Sequence, residues 1–173
     1  GERPPQKLID HAEKADIISN AIDFARILGV EVPRVAILSA VETVNPSIPS
    51  TLDAAALCKM ADRGQITGGI LDGPLAFDNA ISMQAAQIKD INSPVAGQAE
   101  MLAVPDLESG NMLAKQLDYL AGASSSGIVL GARVPIALTS RAEGPQARVA
   151  SALLSRLVAH HHSRTAASES SVG

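Results

Sequence analysis

The segment from Ser39 to Asn79, SAVETVNPSIPSTLDAAALCKMADRGQITGGILDGPLAFDN, decides the fold of this chain. It follows a short apolar run. Within it a polar loop, a helical pattern, a second strand-like run and an Asp-Gly-Pro sequence succeed one another. Polar residues collect where each strand gives way to a helix. Open α/β sheets bind ligands at the carboxyl ends of their strands, so the segment predicts an α/β architecture and one rim of a ligand crevice.

The composition sets limits on the class of protein. The chain has 173 residues, of which 46% are hydrophobic and 2% aromatic, which suits one α/β domain with an aliphatic core. The net charge of −4 argues against a nucleic-acid partner. The apolar runs are strand-sized and fall short of the roughly 20 residues that span a bilayer, so we expect no membrane association. The single cysteine, Cys58, suits a reducing compartment, and we expect the protein to be cytoplasmic.

Strand-like and helical patterns alternate along the chain, which predicts an α/β fold with a mostly parallel sheet and helices on both faces. Ser50-Thr51 and Asp106 are expected to cap two of the helices. The last two apolar runs are joined by a link too short for a helical crossover, so that join is either a hairpin or a passage between two sheets. The predicted helices are 13–28, 52–60, 77–89, 107–120 and 144–159, and the predicted strands are 35–38, 66–71, 101–104, 128–130 and 136–138.

Three segments are expected along the chain. Residues 1–12 form a flank, residues 13–160 form the α/β domain, and residues 161–173 form a polar, Ser-rich tail that is predicted to be disordered. The chain begins with Gly1 rather than Met, and we expect it to be the continuation of a longer protein.

The strand end Thr139-Ser140-Arg141 is the sharpest candidate for chemistry. Hydroxyl groups, a guanidinium and the free amides of a following helix together favour an anion such as phosphate. The alternative is an ordinary helix cap with a surface arginine, and residue types alone favour that alternative.

The other candidates have structural alternatives as well. In Asp72-Gly73-Pro74 the aspartate would face the crevice while Gly73 admits a ligand to the backbone, or the sequence is simply a turn. Asp78 is interpreted as a helix-start charge, and Cys58 as a buried, inert thiol. His160-His161-His162 is interpreted as a solvated helix end, because no carboxylate or cysteine cluster accompanies it, so no metal site is expected. The glycine-rich pieces match neither a dinucleotide fingerprint nor a P-loop.

Three stretches together resemble the phosphate acetyl/butyryltransferase family. They are VAILSAVETVNPSIPSTLDAAALCKMADRGQITGGILDGPLAFDNAIS (35–82), SPVAGQAEMLAVPDLESGNMLAKQL (93–117) and GIVLGARVPIALTSRAEG (127–144). The similarity covers about residues 17–157. It is greatest to the butyryltransferase-like branch, which includes proteins fused to an enoyl-CoA hydratase module.

The resemblance implies a reaction and an architecture. Family enzymes transfer a short acyl group, acetyl or butyryl, reversibly from acyl-CoA to inorganic phosphate, giving an acyl phosphate and CoA. They use coenzyme A as a substrate, without a metal or a tightly bound cofactor. Their two-domain α/β fold, similar to that of isocitrate and isopropylmalate dehydrogenases, encloses a deep cleft, and they are usually homodimers.

The resemblance also implies residue roles. Ser140 would hydrogen-bond near the thiol or carbonyl of the substrate, and Arg141 would hold phosphate and the developing negative charge, with Thr139 beside them. Asp72-Gly73-Pro74 and the segment with Asp106 and Asn111 would line the opposite wall. The acetyltransferase branch has a general-base aspartate after its Ser-Arg pair, whereas here Glu143 is the only carboxylate in that neighbourhood and is the candidate base.

The family's N-terminal half is missing from the match, so the chain resembles a C-terminal half, truncated at the N-terminus. We therefore expect an acyltransferase that is poorly active as the isolated chain. Two alternatives stand beside it: an acyl-CoA-sensing regulatory domain such as that fused to some malic enzymes, and a non-catalytic interaction domain. The retained Ser140-Arg141 pair favours the enzyme.

Overall fold

The structure, a computed structural model, describes residues 10–139 and 144–170. The chain divides into two units. Within the described residues, the first unit comprises 10–22 and 32–105, and the second comprises 23–31, 106–139 and 144–170.

The first unit is built on a parallel sheet of three strands. These are β1 (Arg34–Leu38), β2 (Ile70–Leu75) and β3 (Met101–Ala103), in the order β2-β1-β3. Four helices accompany them: α1 (His11–Ile27), which continues into the second unit, α2 (Pro49–Asp62), α3 (Phe77–Ile81) and α4 (Met83–Ile88). The predicted α/β class with a parallel sheet is confirmed.

The central strand β1 is buried on both faces. Val35 and Ile37 point to one face and lie in the main core cluster, while Ala36 and Leu38 point to the other and are also buried. An apolar run without alternation is typical of such a doubly covered parallel strand. The remaining members of the main cluster come from α1, α2 and the loop before β2: Ala15, Ile18, Ile22, Ala54, Leu57 and Ile66.

The second strand differs from its prediction. It runs from Ile70 to Leu75 instead of 66–71, so Asp72-Gly73-Pro74 lies inside the strand and not in a turn. Gly73 and Pro74 together oppose the single residue Ile37 of β1, because the register shifts between the Ala36–Asp72 and Leu38–Leu75 pairs. A bulge of this kind tolerates a proline that cannot donate a hydrogen bond.

The start of α2 also differs from its prediction. Its N-cap position is Ile48, whose side chain makes no capping bond, and Pro49 opens the helix. The Thr51 hydroxyl, predicted as a cap, is fully buried; it accepts a hydrogen bond from the backbone N–H of Asn45 and lies 2.8 Å from the carbonyl oxygen of Ile48. Thr51 therefore closes the loop that leaves β1.

The predicted helix 77–89 is two short helices. Ser82 has extended backbone angles, φ −115° and ψ 114°, and separates α3 from α4. Its hydroxyl accepts a hydrogen bond from the Ala85 N–H and so caps the start of α4. One continuous helix was predicted here, whereas the structure has two helices that meet at a capped junction.

The second unit contains two long helices and a two-stranded sheet. Its elements are α5 (Leu107–Leu120), β4 (Gly127–Val129), β5 (Ile136–Leu138) and α6 (Pro145–Ser170). Asp106 caps α5 as predicted, since its Oδ1 accepts a hydrogen bond from the Ser109 N–H at 2.7 Å. β4 and β5 pair antiparallel, so the join that the sequence left open is a hairpin.

Helix α6 continues to Ser170, so residues 161–170 are helical where the sequence predicts a disordered tail; residues 171–173 lie outside the described residues. Residues 161–170 include neither Pro nor Gly. Ser and Thr hydroxyl groups in this part of α6 donate hydrogen bonds to backbone carbonyls of the preceding turn. Ser163 Oγ donates to the Ala159 carbonyl and Thr165 Oγ1 to the His161 carbonyl. Within the described part of the chain, no helix has the length and apolar character needed to cross a bilayer.

Gly73→Ala is predicted to destabilise the first unit. A Cβ at this position would lie 2.7 Å from the Ile37 carbonyl oxygen and 2.8 Å from the Ile37 Cβ, so strand β1 itself would have to move. Overpacking of this kind costs about 1 to 3 kcal/mol of unfolding free energy, measurable by urea denaturation followed by circular dichroism. Gly144→Ala is the matched control, because no atom of the described residues lies within 4 Å of its added Cβ. Equal stability of the two variants would contradict the prediction.

Candidate functional site

The carboxyl edge of the three-stranded sheet is closed by a hydrogen-bonded loop after β1. Ser39 extends the pairing by donating its N–H to the Leu75 carbonyl at 2.8 Å, and its hydroxyl lies 2.7 Å from that of Ser50 at the start of α2. Asn45 Oδ1 accepts from the Ser47 N–H. These bonds fix the loop over the strand ends, where the sequence analysis expected the rim of a ligand site.

Four polar residues meet at this edge, and we name them the carboxyl-edge cluster: Glu42, Asp78, Asn79 and Lys89. Glu42 Oε1 accepts hydrogen bonds from both Asn79 Nδ2 and Lys89 Nζ. Lys89 Nζ also lies 3.0 Å from Asp78 Oδ2. Asn79 is fully buried, and its Oδ1 has no hydrogen-bond partner among the described residues. The cluster therefore joins the loop after β1 to α3 and to the end of α4.

The ionised side chains of the carboxyl-edge cluster stabilise one another in their charged forms. Hydrogen bonding to Lys89 lowers the pKa of Glu42 and that of Asp78 below their ordinary values, and the same two carboxylates raise the pKa of Lys89. All three groups are thus charged at neutral pH, with one negative charge in excess. Asp78 also lies in the first turn of α3, so the predicted helix-start role and the ion pair coexist.

The predicted residues Asp72, Gly73 and Pro74 are consecutive in β2. Asp72 Oδ1 accepts a hydrogen bond from the Gly73 N–H at 2.9 Å. The bare Cα of Gly73 is approached by Ile37 and by Ala54 of α2, so protein atoms occupy the space that the missing side chain leaves on that side.

Cys58, on α2, packs against the same strand. Its thiol lies 3.7 Å from the Gly73 carbonyl oxygen. Burial, with smaller contributions from the negative charges of Asp72 and Asp62, raises the pKa of Cys58 to about 12. A thiol with this pKa is un-ionised at neutral pH, which agrees with the prediction of an inert side chain.

The second unit contains a pocket of about 450 Å³. It is lined by the end of α5, the serine-rich link to β4 and the first turn of α6. The lining offers a cation at Lys115, an anion at Asp118, a phenol at Tyr119 and the amide of Gln146. Gly144, which also lines it, directly follows Glu143 in the sequence.

The remaining predicted site residues belong to the second unit or lie outside the described residues. Asp106 is the N-cap of α5, Asn111 is exposed on that helix, and Thr139 is exposed directly after β5. Ser140, Arg141 and Glu143 lie outside the described residues. The structure thus groups the predicted residues into a β2 set in the first unit and a second-unit set, and each set is described within its own unit.

The structure shows no group of three or more metal-ligating side chains among residues 10–139 and 144–170. His160, His161 and His162 lie on exposed turns of α6.

The first unit belongs to the class of open parallel α/β proteins. Proteins of this class bind ligands at the carboxyl edge of the sheet, where this unit has charged side chains. Comparison of sequences identifies the family within that class: residues 10–155 match the family described as phosphate acetyl/butaryl transferase. The chain belongs to this family, and the resemblance carried by the three quoted stretches is confirmed.

Individual relatives agree with the family match. Phosphate acetyltransferase of Rhizobium meliloti is 64% identical over 150 residues, covering 87% of this chain and 48% of that protein. Phosphate butyryltransferase of Clostridium acetobutylicum is 46% identical over 147 residues, covering 85% and 49%. A branched-chain phosphotransacylase from Enterococcus faecalis V583 has a similar fold, with a TM-score of 0.78 and 32% identity, covering 86% of this chain and 54% of that one. The chain spans about half the length of the curated relatives it matches.

Sequence reasoning missed the carboxyl-edge cluster and the second-unit pocket. Glu42 follows the first strand in the sequence, so its place at the strand end could be predicted. Its partner Lys89 is 47 residues away, and nothing in the sequence near either residue predicts their contact. The pocket joins Lys115 and Gln146, which only the packing of α5 and α6 brings to the same cavity.

Lys89→Met is predicted to destabilise the first unit in a pH-dependent manner. Because the folded pKa values of Glu42 and Asp78 are lowered, the stabilisation they contribute is present above the ordinary carboxyl values. It is lost as the pH falls through the lower folded values, below about pH 4. The urea midpoint of the variant should therefore fall below that of the wild type at pH 7, and the gap should shrink at pH 3.

Lys59→Met is the control for this experiment, since Lys59 forms an exposed i,i+3 pair with Asp62. Exposed pairs contribute little, so its urea midpoint should stay close to the wild-type value at both pH values. A gap for Lys89→Met that does not change with pH would contradict the assigned pairing.

Proposed function

We propose that this chain is part of a phosphate acyltransferase. The enzyme transfers an acetyl or butyryl group from the sulfur of acyl-CoA to an oxygen of inorganic phosphate, so the thioester bond breaks, an acyl phosphate forms and CoA leaves as the thiol. The observation that carries the proposal is the 64% identity over 150 residues to a protein named phosphate acetyltransferase. Identity to the butyryltransferase of Clostridium acetobutylicum is lower, at 46%, which favours acetyl-CoA as the first substrate to assay.

The proposed catalytic residues follow the end of β5. Arg141 would bind phosphate through its planar guanidinium, which matches a tetrahedral oxyanion in two-point contact. Ser140 would hydrogen-bond near the reacting thioester, and Thr139 would supply a further hydroxyl. Catalysis of this kind depends on holding two substrates in line and on donors aimed at the developing negative charge. Glu143 would take the proton of the CoA thiol in the reverse direction, because the thiolate is the attacking species.

The polar lining of the second-unit pocket supports this assignment. Lys115 offers a positive charge and Gln146 a side-chain amide, both suited to a phosphorylated substrate. Gly144 connects the pocket along the chain to the residues proposed for catalysis. Asp106, Asn111 and the Asp72-Gly73-Pro74 segment keep the substrate-binding roles that the family resemblance implies.

The proposal extends to the whole enzyme of which this chain is part. It would be a cytoplasmic homodimer with helices on both faces of its sheet and a two-domain fold similar to that of isocitrate and isopropylmalate dehydrogenases. It would use CoA as a substrate and hold no tightly bound cofactor. The half-length match to its relatives supports treating the catalytic unit as longer than this chain.

Arg141→Ala is predicted to lower kcat/KM by at least about 100-fold, the effect of removing one preorganised donor to a developing oxyanion. The measurement is thiol release from acetyl-CoA and from butyryl-CoA with phosphate. It is made in a chimera in which this chain replaces the matched 150 residues of the Rhizobium meliloti relative.

The control for the chimera is Arg156→Ala, an exposed arginine on α6, which should retain activity. A folded chimera that releases no thiol with either substrate would overturn the proposed function. Full activity of the Arg141→Ala chimera would overturn the role of that residue.

The chain alone is predicted to have little transferase activity, since it spans about half the length of its relatives and would lack part of the substrate cleft. The same thiol-release assay on the isolated chain tests this. Turnover equal to that of full-length relatives would contradict it. Tight acyl-CoA binding by the chimera without turnover would instead indicate a sensor.

A further inference from the structure

One carboxylate at the carboxyl edge of the first unit is held through only one of its two oxygens. Glu42 Oε1 accepts hydrogen bonds from both Asn79 Nδ2 and Lys89 Nζ. In the described part of the chain, no other residue donates a hydrogen bond to Glu42 Oε2. The Glu42 side chain is 27% exposed, so a ligand can reach it from solvent. Glu42 therefore offers an oriented acceptor that the protein itself does not use.

The loop that carries Glu42 is anchored on both sides of this residue. Before it, the Ser39 N–H donates to the Leu75 carbonyl at 2.8 Å, which ties the start of the loop to β2. After it, the Asn45 N–H donates to the buried Thr51 hydroxyl at 2.9 Å, which ties the end of the loop to α2. An acceptor that is already fixed in this way loses little conformational freedom when a ligand binds to it.

Asn79 holds Glu42 from within the protein interior. The Asn79 side chain is fully buried, and its backbone carbonyl accepts a hydrogen bond from the Gly97 N–H at 2.7 Å. Its Oδ1 has no hydrogen-bond partner among residues 10–139 and 144–170, which is costly for a buried acceptor. Departures of this kind from ordinary packing are expected at functional sites. The orientation of Glu42 is thus maintained at a cost that the stability of the fold does not explain.

The charge of the carboxyl-edge cluster decides which ligand group fits. Glu42 and Asp78 carry two negative charges against the single positive charge of Lys89, so a phosphate group is repelled there. A carboxylate oxygen is also an acceptor only. The group that meets Glu42 Oε2 is therefore an uncharged N–H or O–H donor. Acyl-CoA has such donors in the amides of its pantetheine arm, which lies between the thioester and the phosphates.

We propose that Glu42 Oε2 accepts a hydrogen bond from an amide N–H of the pantetheine arm of acyl-CoA, and that Asn79 positions Glu42 for this contact. The inference rests on the proposed acyltransferase function. It gives the loop after β1 a role in binding substrate that the family resemblance does not assign. Because the contact lies away from the reacting atoms, it acts on the affinity for acyl-CoA and not on that for inorganic phosphate.

The first test is Glu42→Gln in the chimera with the Rhizobium meliloti relative. Glutamine keeps an oxygen for Asn79 and Lys89 but places an NH₂ group where Oε2 was, so two donors would face each other. We expect the KM for acetyl-CoA to rise at least about tenfold, the effect of losing a hydrogen bond to a charged acceptor, while the KM for phosphate is unchanged. The Kd for CoA, measured by calorimetry without turnover, should rise by a similar factor.

The second test changes the substrate instead of the protein. The amide N–H groups of acetyl-pantetheine are replaced, one position at a time, by an ester oxygen that cannot donate. One of these analogues should bind the unmodified chimera at least about tenfold more weakly than acetyl-pantetheine, and Glu42→Gln should add no further loss with that analogue. A merely structural role of Glu42 would weaken the binding of every analogue equally. This test also stands if Glu42→Gln fails to fold, since the analogues are first compared on the unmodified chimera.

Two further variants complete the experiment. Asn79→Ala should raise the KM for acetyl-CoA and leave that for phosphate unchanged, because Glu42 then loses its orientation. Glu31→Gln is the matched control, an exposed glutamate before β1 whose variant should behave as the unmodified chimera does. Circular dichroism of each variant confirms that it is folded.

The outcomes separate this proposal from the proposed function. A folded chimera that neither binds CoA nor releases thiol would overturn both. If the chimera is active, three results contradict the role of Glu42 alone: an unchanged KM for acetyl-CoA in Glu42→Gln, an equal rise in the KM for phosphate, or ester analogues that all bind as acetyl-pantetheine does. Loss of the Glu42→Gln effect when acetyl-pantetheine replaces acetyl-CoA would also contradict it, since the contact would then be with the adenosine end.

Discussion

The close approach of β2 to β1 at Gly73 is the contact on which the first unit depends. The bare Cα of Gly73 lets the strand carry an extra residue opposite Ile37 while Ala54 of α2 packs against the same point. Because Ile37 and Ala54 both belong to the main core cluster, any side chain at Gly73 would separate sheet and helix where the core is tightest. The bulge also directs the chain from β2 into α3, where Asp78 and Asn79 lie. Two members of the carboxyl-edge cluster therefore follow this contact closely along the chain.

Two polar contacts hold the ends of the same sheet. At the amino end of β1, Arg34 Nη2 lies 2.8 Å from Glu100 Oε1, and the backbone of each residue bonds to the other residue, which fixes β1 against β3. At the carboxyl end, Glu42 and Lys89 join the loop after β1 to the end of α4. The Arg34–Glu100 pair is partly exposed and adds little stability by itself. The effect of both contacts is positional: they fix the sheet at its two ends and so hold the strand-end loops in place.

An element could be predicted from the sequence when the residues that determine it lie within the element itself. Helix α5 was predicted with its correct bounds because an Asp cap and an apolar period both lie within it. Strand β2 was misplaced because Ile66 is buried outside any strand, and the bulge at Gly73-Pro74 depends on the neighbouring strand. The partners of Glu42 could not be predicted, since they arrive through α3 and α4. The end of α6 could not be predicted from composition, because a polar stretch without helix breakers suits either a helix or a disordered tail.

The two units differ in how well their strands are buried, and this bears on how rigidly each unit can hold a functional side chain. Electrostatic catalysis needs its groups held within about 0.5 Å of the productive geometry. In the first unit the central strand is buried, and polar contacts hold both of its ends. The residues proposed for acyl transfer follow β5, a three-residue strand with every residue exposed and one partner strand in the described residues. A strand of this kind cannot fix a guanidinium by itself. Precise placement of the guanidinium proposed for phosphate binding therefore requires contacts beyond the β4–β5 pair.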